Sequence, residues 1–372
     1  MTFLAVVFGL LLLLIILWDT FETIVLPRTV TRRIRFARLY YRAVWRGWAS
    51  VARQLPDNEW RSGFLGAFGP LSLLVLMGLW AACLVVSFGL IQWGLGTRLI
   101  AAEPHPGLAS DIYMSGVTLF TLGYGDVVPR TPLGRTLTVI EAGVGIGFLA
   151  LVIGYLPVIY QAFSRREIGI SLLDARAGSP PTAVELLRRH ALARTMSALQ
   201  PFLQEWEHWC ADVLESHLSY PVLAYYRSQH DRQSWLASLT TLLDTCALLS
   251  LRFREEAEWQ QALRWQAQLT YAMGRHMIVD LALIFDAPPI SPAADRLPPE
   301  EWARLRAALE SAGLPLLDSE QMQQRLAAVR RQYEPYVYAL AERLLLTLPP
   351  FVLEIQTADD WQRSAWESLR HF

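Results

Sequence analysis

Residues 3–18 (FLAVVFGLLLLLIILW) carry no polar side chain, and the apolar pattern continues as a helix through Ile24, Val25 and Leu26. That length crosses the ~30 Å hydrocarbon layer of a bilayer. A signal peptide would need a basic start and a small-residue cleavage site, and neither accompanies this run. Asp19 and Glu22, three apart on one helix face, mark its end. From Ser62 to Thr97 no charged residue occurs, which accommodates a second span at about 69–93 with a turn on each side. From Thr136 to Ser164 the one charge is Glu141, giving a third span. After residue 163 long charge-free runs stop. Apolar residues there recur at three and four in 184–200, 202–219, 234–251, 255–284, 299–312, 320–346 and 358–370, so this half is expected to be all-helical.

The pattern divides the chain into an N-terminal transmembrane helix (1–27), a basic amphipathic segment (28–66), a middle region holding two spans (67–163) and a helical domain (164–372). The Pro-rich stretch 287–299 is expected to separate a larger bundle from a final helical pair or trio.

Composition agrees: 53% of residues are hydrophobic, 18% are charged, and mean hydropathy is +0.26, too high for an ordinary soluble domain of this length. The net charge of −1 hides an uneven distribution. Nine Arg stand against four acids in residues 1–66, three against four in 67–163, and 21 against 26 in 164–372. All 33 basic residues are Arg. No nucleic-acid partner is expected, since the positive charge of such a binder would have to persist on a folded face. Cys83, Cys210 and Cys246 have neither CxxC nor metal-ligand spacing.

The basic residues also give the orientation. Arg28, Arg32, Arg33, Arg35, Arg38, Arg42, Arg46 and Arg53 occur with no acid before Asp57, and Arg165 and Arg166 follow the third span. Basic flanks stay in the cytoplasm, so the expected topology is multi-pass, with the N-terminus outside and the C-terminal domain cytosolic. Arg35, Arg38, Arg42 and Arg46 recur at helical spacing with Phe36, Tyr40, Val44, Trp45 and Trp48 interleaved. This suits a helix in the headgroup layer, its guanidinium groups on anionic lipid along 28–53. A voltage sensor is disfavoured, because Tyr41 and Val44 break the three-residue Arg repeat and a single span precedes it.

Between the second and third spans lies SDIYMSGVTLFTLGYGDVVP, residues 110–129. Thr121-Leu122-Gly123-Tyr124-Gly125-Asp126 resembles the filter signature of the potassium-channel family, T-[VIL]-G-Y-G-D. Such a filter needs a stack of backbone carbonyls that replaces the hydration shell of K⁺, and the alternating backbone it requires is admitted by alternating glycines. The hexapeptide follows about ten helix-compatible residues with Ser110 and Asp111 as N-cap candidates, precedes Pro129, and sits midway between two spans. The order of outer helix, pore helix, filter and inner helix is what a re-entrant loop demands.

The resemblance covers about residues 67–163 and implies an all-α membrane protein with a tetrameric potassium-channel pore. It implies a prokaryotic channel of two spans and one pore loop per subunit, with K⁺ as permeant ion, no chemical catalysis, and residence in a cell membrane, for a bacterium the inner one. With one filter per chain, a homotetramer is expected. Thr118, Asp126 and Glu141 are expected to support the filter. Some bacterial relatives bond Asp126 to a Glu nine residues earlier; here that position is Val117, so Asp126 must find another partner. Val128 replaces an aromatic of several relatives, so block by external tetraethylammonium is expected to be weak.

In the third span, Gly145 matches the family's inner-helix hinge, with Gly147 and Pro157 as further hinge candidates. Packing is the competing reading, with Gly143 and Gly147 letting helices approach closely. Ile146, Leu149, Ala150 and Ile153 are expected to line the cavity. Glu141 is either a structural hydrogen-bonding group on the pore helix or filter backbone, or a titratable gating element.

In the C-terminal half, the alternating strands and GxGxxG turn of a Rossmann-like sensor are not found, and no organic cofactor is expected. His208, Asp212, Glu215, His217, His230 and Asp231 could bind a metal, although such residues more often cap helices or pair across them. The domain is expected to assemble or regulate the pore, with an unidentified ligand as one route. A non-selective cation channel and a non-conducting membrane-anchored scaffold are the alternative functions.

Overall fold

The computed structural model describes residues 2–26, 35–101, 105–229, 232–254, 259–291, 295–317, 320–353 and 359. They form an all-α membrane protein with three helices long and apolar enough to span a bilayer. Among the described residues, paired strands amount to β1 (Leu99–Ile100) and β2 (Val128–Pro129). The chain divides into two units, Met1–Leu55 with Ala67–Gln161, and Pro56–Gly66 with Ala162–Phe372.

In the first unit, α1 (Thr2–Thr20) continues through a π-helical turn at Phe21–Val25. α2 (Phe36–Ala52) is the amphipathic helix. α3 (Glu59–Gly94) has 36 residues, of which 67–94 belong to this unit, and α5 (Pro132–Ala177) has 46, of which 132–161 do. At 1.5 Å per residue these reach about 54 and 69 Å, well beyond the ~30 Å hydrocarbon layer. Both therefore exceed the spans expected from charge-free runs. Helical hydrogen bonding continues into the polar flanks, where hydropathy carries no signal.

Asp19 and Glu22 do more than end the apolar run. Asp19 is buried and accepts the Ala37 backbone N–H at 3.1 Å and the Trp80 indole N–H at 3.0 Å. It thereby caps the first turn of α2 and ties α1 to α3. Glu22 accepts from Trp18 Nε1 at 2.7 Å and lies 3.3 Å from Arg35 Nε.

The second unit contains α6 (Ala183–Leu192), α7 (Leu199–Ser219), α8 (Trp235–Leu249), α9 (Trp259–Ile284), α10 (Pro299–Ser311), α11 (Glu320–Arg330) and α12 (Glu334–Leu344). Every residue of α8 is buried, making it the axis of the bundle. At 15 residues it is a core helix, too short to span. Trp206 and Trp235 lie in this core, whereas Trp265 is 62% exposed.

The Pro-rich stretch does not divide the bundle. Arg296 reaches into it, 2.7 Å from Asp244 of α8 and 3.2 Å from Glu334 of α12. Arg330 pairs with Glu334 at 3.0 Å, and both guanidinium groups lie over Phe351. The residues on either side of 287–299 belong to one unit. The expected helix at 358–370 lies outside the described residues, apart from Asp359.

Candidate ion-conduction site

The segment expected as a pore helix forms α4 (Leu108–Leu119). Its N-cap is Gly107; the expected cap candidates Ser110 and Asp111 both lie within the helix, where Ser110 accepts the Gly107 N–H at 3.3 Å. Strands β1 and β2 pair Leu99 with Pro129 and Ile100 with Val128, closing the loop that holds α4 and the TLGYGD segment. Gln92 reinforces the closure by donating to the Gly134 carbonyl at 3.2 Å and accepting from Thr97 Oγ1 at 2.8 Å. The ends of α3 and α5 are thus fixed to one another on either side of the loop.

After α4 the backbone alternates. Thr121, Gly123 and Gly125 have φ of 57°, 62° and 75°, whereas Leu122 and Tyr124 between them do not have positive φ. This alternation turns successive peptide planes over, as a line of carbonyls facing one axis requires. For β-branched Thr121 the left-handed conformation costs roughly 1–2 kcal/mol. Its N–H bonds to the Thr118 carbonyl at 3.0 Å, and the Leu122 N–H to Val117 O at 2.8 Å, so the helix end holds the strained turn. Leu122 and Tyr124 are exposed in the single chain.

Asp126 accepts a hydrogen bond from Tyr113 Oη at 2.9 Å, which supplies the partner that Val117 cannot. Glu141 of α5 is fully buried and bonds Ser115 of α4; the bond goes to a side chain rather than to backbone. Ser115 also lies 2.8 Å from the Val85 carbonyl of α3. Gly145 abuts the end of α4 so closely that a Cβ there would overlap the Leu119 carbonyl. Gly143 and Gly147, expected to mediate close packing, face open space in the single chain. α5 runs without interruption through Gly145, Gly147 and Pro157. Ile146, Ala150 and Ile153 are exposed on it and Leu149 is half-buried.

On α2, Arg38, Arg42 and Arg46 are exposed. Arg35 turns instead to Glu22 and Thr23, and Trp45 packs edge-on against Phe68 with ring centres 4.7 Å apart. Part of the apolar face assigned to lipid therefore meets protein.

The suggested metal ligands do not converge. His208 bonds the Gln204 carbonyl, Asp212 pairs with Arg165 at 3.3 Å, and His217 is buried against Arg166. His230 and Asp231 lie outside the described residues. Among the described residues no group of three potential ligands is brought together.

Tyr113 and Ser115 were not singled out from sequence. The signal for Ser115 is a polar stripe in an apolar stretch, Asp111, Ser115 and Thr118 recurring at four and three; Tyr113 lies off that stripe.

Residues 74–161 match a family model described as an ion channel. The match spans about a quarter of the chain. Two curated relatives share parts of the chain. The "Uncharacterized membrane protein YdjJ" of Bacillus subtilis (strain 168) is 20% identical over 278 residues, 72% of this chain and 75% of that protein. The "Probable potassium channel protein 2" of Methanocaldococcus jannaschii is 53% identical over 38 residues, 10% of this chain and 11% of that one. No solved structure matches.

Proposed function

We propose that four copies of this chain form a potassium-selective channel, with K⁺ passing between four Thr121–Gly125 filter segments. The observation that carries this reading is the alternation of left-handed backbone at Thr121, Gly123 and Gly125 within TLGYGD, in a loop closed between two spans. Four such segments supply rings of carbonyls that substitute for the water around the ion. Thr121 adds a hydroxyl at the inner end. The C-terminal ends of four α4 helices aim their negative dipole ends at the cavity below.

The cavity is lined by Ile146, Leu149, Ala150 and Ile153, an apolar surface suited to gating by dewetting. Exposed Leu122 and Tyr124 pack against neighbouring subunits and brace the filter. The basic flanks orient the N-terminus outside and the C-terminal unit in the cytosol. Arg38, Arg42 and Arg46 engage anionic headgroups. The helical bundle following α5 assembles or regulates the pore, acting through the helix that carries the gate.

Potassium flux into proteoliposomes tests this reading. Wild-type protein is expected to admit K⁺ far faster than Na⁺. Gly123→Ala, which places a Cβ at φ 62°, is expected to lose that preference. Absence of flux through wild-type protein of verified tetrameric size would contradict the proposal.

A further inference from the structure

Ser115 is completely buried, and its Oγ lies 2.8 Å from the Val85 carbonyl and within hydrogen-bond reach of Glu141 Oε1. A hydroxyl has one hydrogen to donate. The Val85 carbonyl can only accept, so it takes the Ser115 proton. The second contact then needs its proton from Glu141.

The surroundings of Glu141 agree. The side chain is fully buried, and its Oε2 has no hydrogen-bond partner. Among the described residues, the groups bonded to it are uncharged: Ser115 from α4 and, through it, the Val85 carbonyl from α3. One turn before Ser115, on the same face of α4, Asp111 is buried with its own Oδ1 unpartnered, so that stripe supplies no positive charge. An uncharged carboxyl is the form such surroundings admit.

We propose that Glu141 is held as a neutral carboxylic acid that donates to Ser115, which donates to Val85, a directed chain fixing the pore helix between the inner and outer helices. Glu141 is thus a positioning residue: it acts on the filter through α4 and does not touch the ion. Four residues further along α5, Gly145 abuts the end of the same helix, so the inner helix grips α4 at two points. The consequence for selectivity rests on the channel reading above. The protonation state does not.

Infrared spectroscopy of the full-length protein in lipid at pH 7 tests the two separately. The difference between wild type and Glu141→Gln is expected to show a protonated-carboxyl C=O stretching band that the variant lacks. Ser115→Ala, which removes the acceptor, is expected to shift that band. A carboxylate band lost in its place, or a band unmoved by Ser115→Ala, would overturn the proposal. In bilayers, Glu141→Gln, whose amide N–H can donate as the acid does, is expected to keep wild-type ion selectivity, and Glu141→Ala to lose it. Equal loss in both variants would also overturn it. A wild-type protein that conducts nothing would sink the channel reading and leave the infrared result standing.

Discussion

Tyr113 donates its hydroxyl to Asp126 across 2.9 Å, joining α4 to the residue that follows Thr121–Gly125. With Val117 in place of an acidic partner, this bond restrains the Asp126 carboxylate. Tyr113→Phe is expected to shorten single-channel openings by loosening the outer end of the filter, with ion selectivity retained. Open times unchanged from wild type would show that the bond does not hold the filter.

Gly145 separates hinge from packing. Because a Cβ there would overlap the Leu119 carbonyl, Gly145→Ala is expected to push α4 away from α5 and destabilise the protein by about 1–3 kcal/mol. Gly143→Ala and Gly147→Ala have space within the subunit. Thermal midpoints in detergent, read by tryptophan fluorescence, compare the three. A Gly145→Ala protein of wild-type stability but altered gating would favour the hinge.

The Asp244–Arg296–Glu334 cluster is buried, with Tyr333 also donating to Asp244 and Arg296 Nη2 donating to the Pro349 carbonyl at 2.8 Å. Burial would lower the Arg296 pKa, but the carboxylates beside it outweigh that and raise it. Arg296→Met leaves Asp244 charged and unmatched, at an expected cost of about 3–5 kcal/mol. Asp244→Leu combined with Arg296→Met should cost less than Arg296→Met alone. Additive effects in a double-mutant cycle would mean the pair is not coupled.

Acid sensitivity follows from His217. Arg166 Nη1 lies 3.2 Å from His217 Nε2, and guanidinium groups only donate, so Nε2 accepts and Nδ1 carries the hydrogen that goes to the Val213 carbonyl at 2.8 Å. Burial, and then the Arg166 charge, hold the imidazole well below its ordinary pKa of 6.5. The folded protein keeps His217 neutral while the unfolded chain binds a proton below that value. This contribution to stability is therefore complete above pH 6.5 and declines as pH falls beneath it. The unfolding midpoint of wild type is expected to fall between about pH 6.5 and 5 more steeply than that of His217→Gln. Parallel profiles would contradict this.

The sequence was most legible where one local rule governed the backbone. Charge-free runs marked the spans, because lipid rejects unpaired charge over a fixed length. The glycines of TLGYGD marked a stretch of alternating left-handed backbone, because that conformation needs them. Contacts between distant positions had no such periodicity. Asp19 appeared to be the polar end of a span, yet Trp80, 61 residues later, meets it in the interior. His217 appeared among metal-ligand candidates, yet its partner Arg166 is 51 residues earlier. The Pro-rich stretch appeared to be a linker because proline content says nothing of Arg296, whose burial depends on two acids contributed by other helices.

The central claim is K⁺ selectivity through Thr121–Gly125, and the reversal potential of purified protein in a planar bilayer under opposed K⁺ and Na⁺ gradients tests it most directly. The expected value lies close to the K⁺ equilibrium potential and moves toward zero in Gly123→Ala. A wild-type reversal potential near zero, with current flowing, would mean that the pore does not select K⁺.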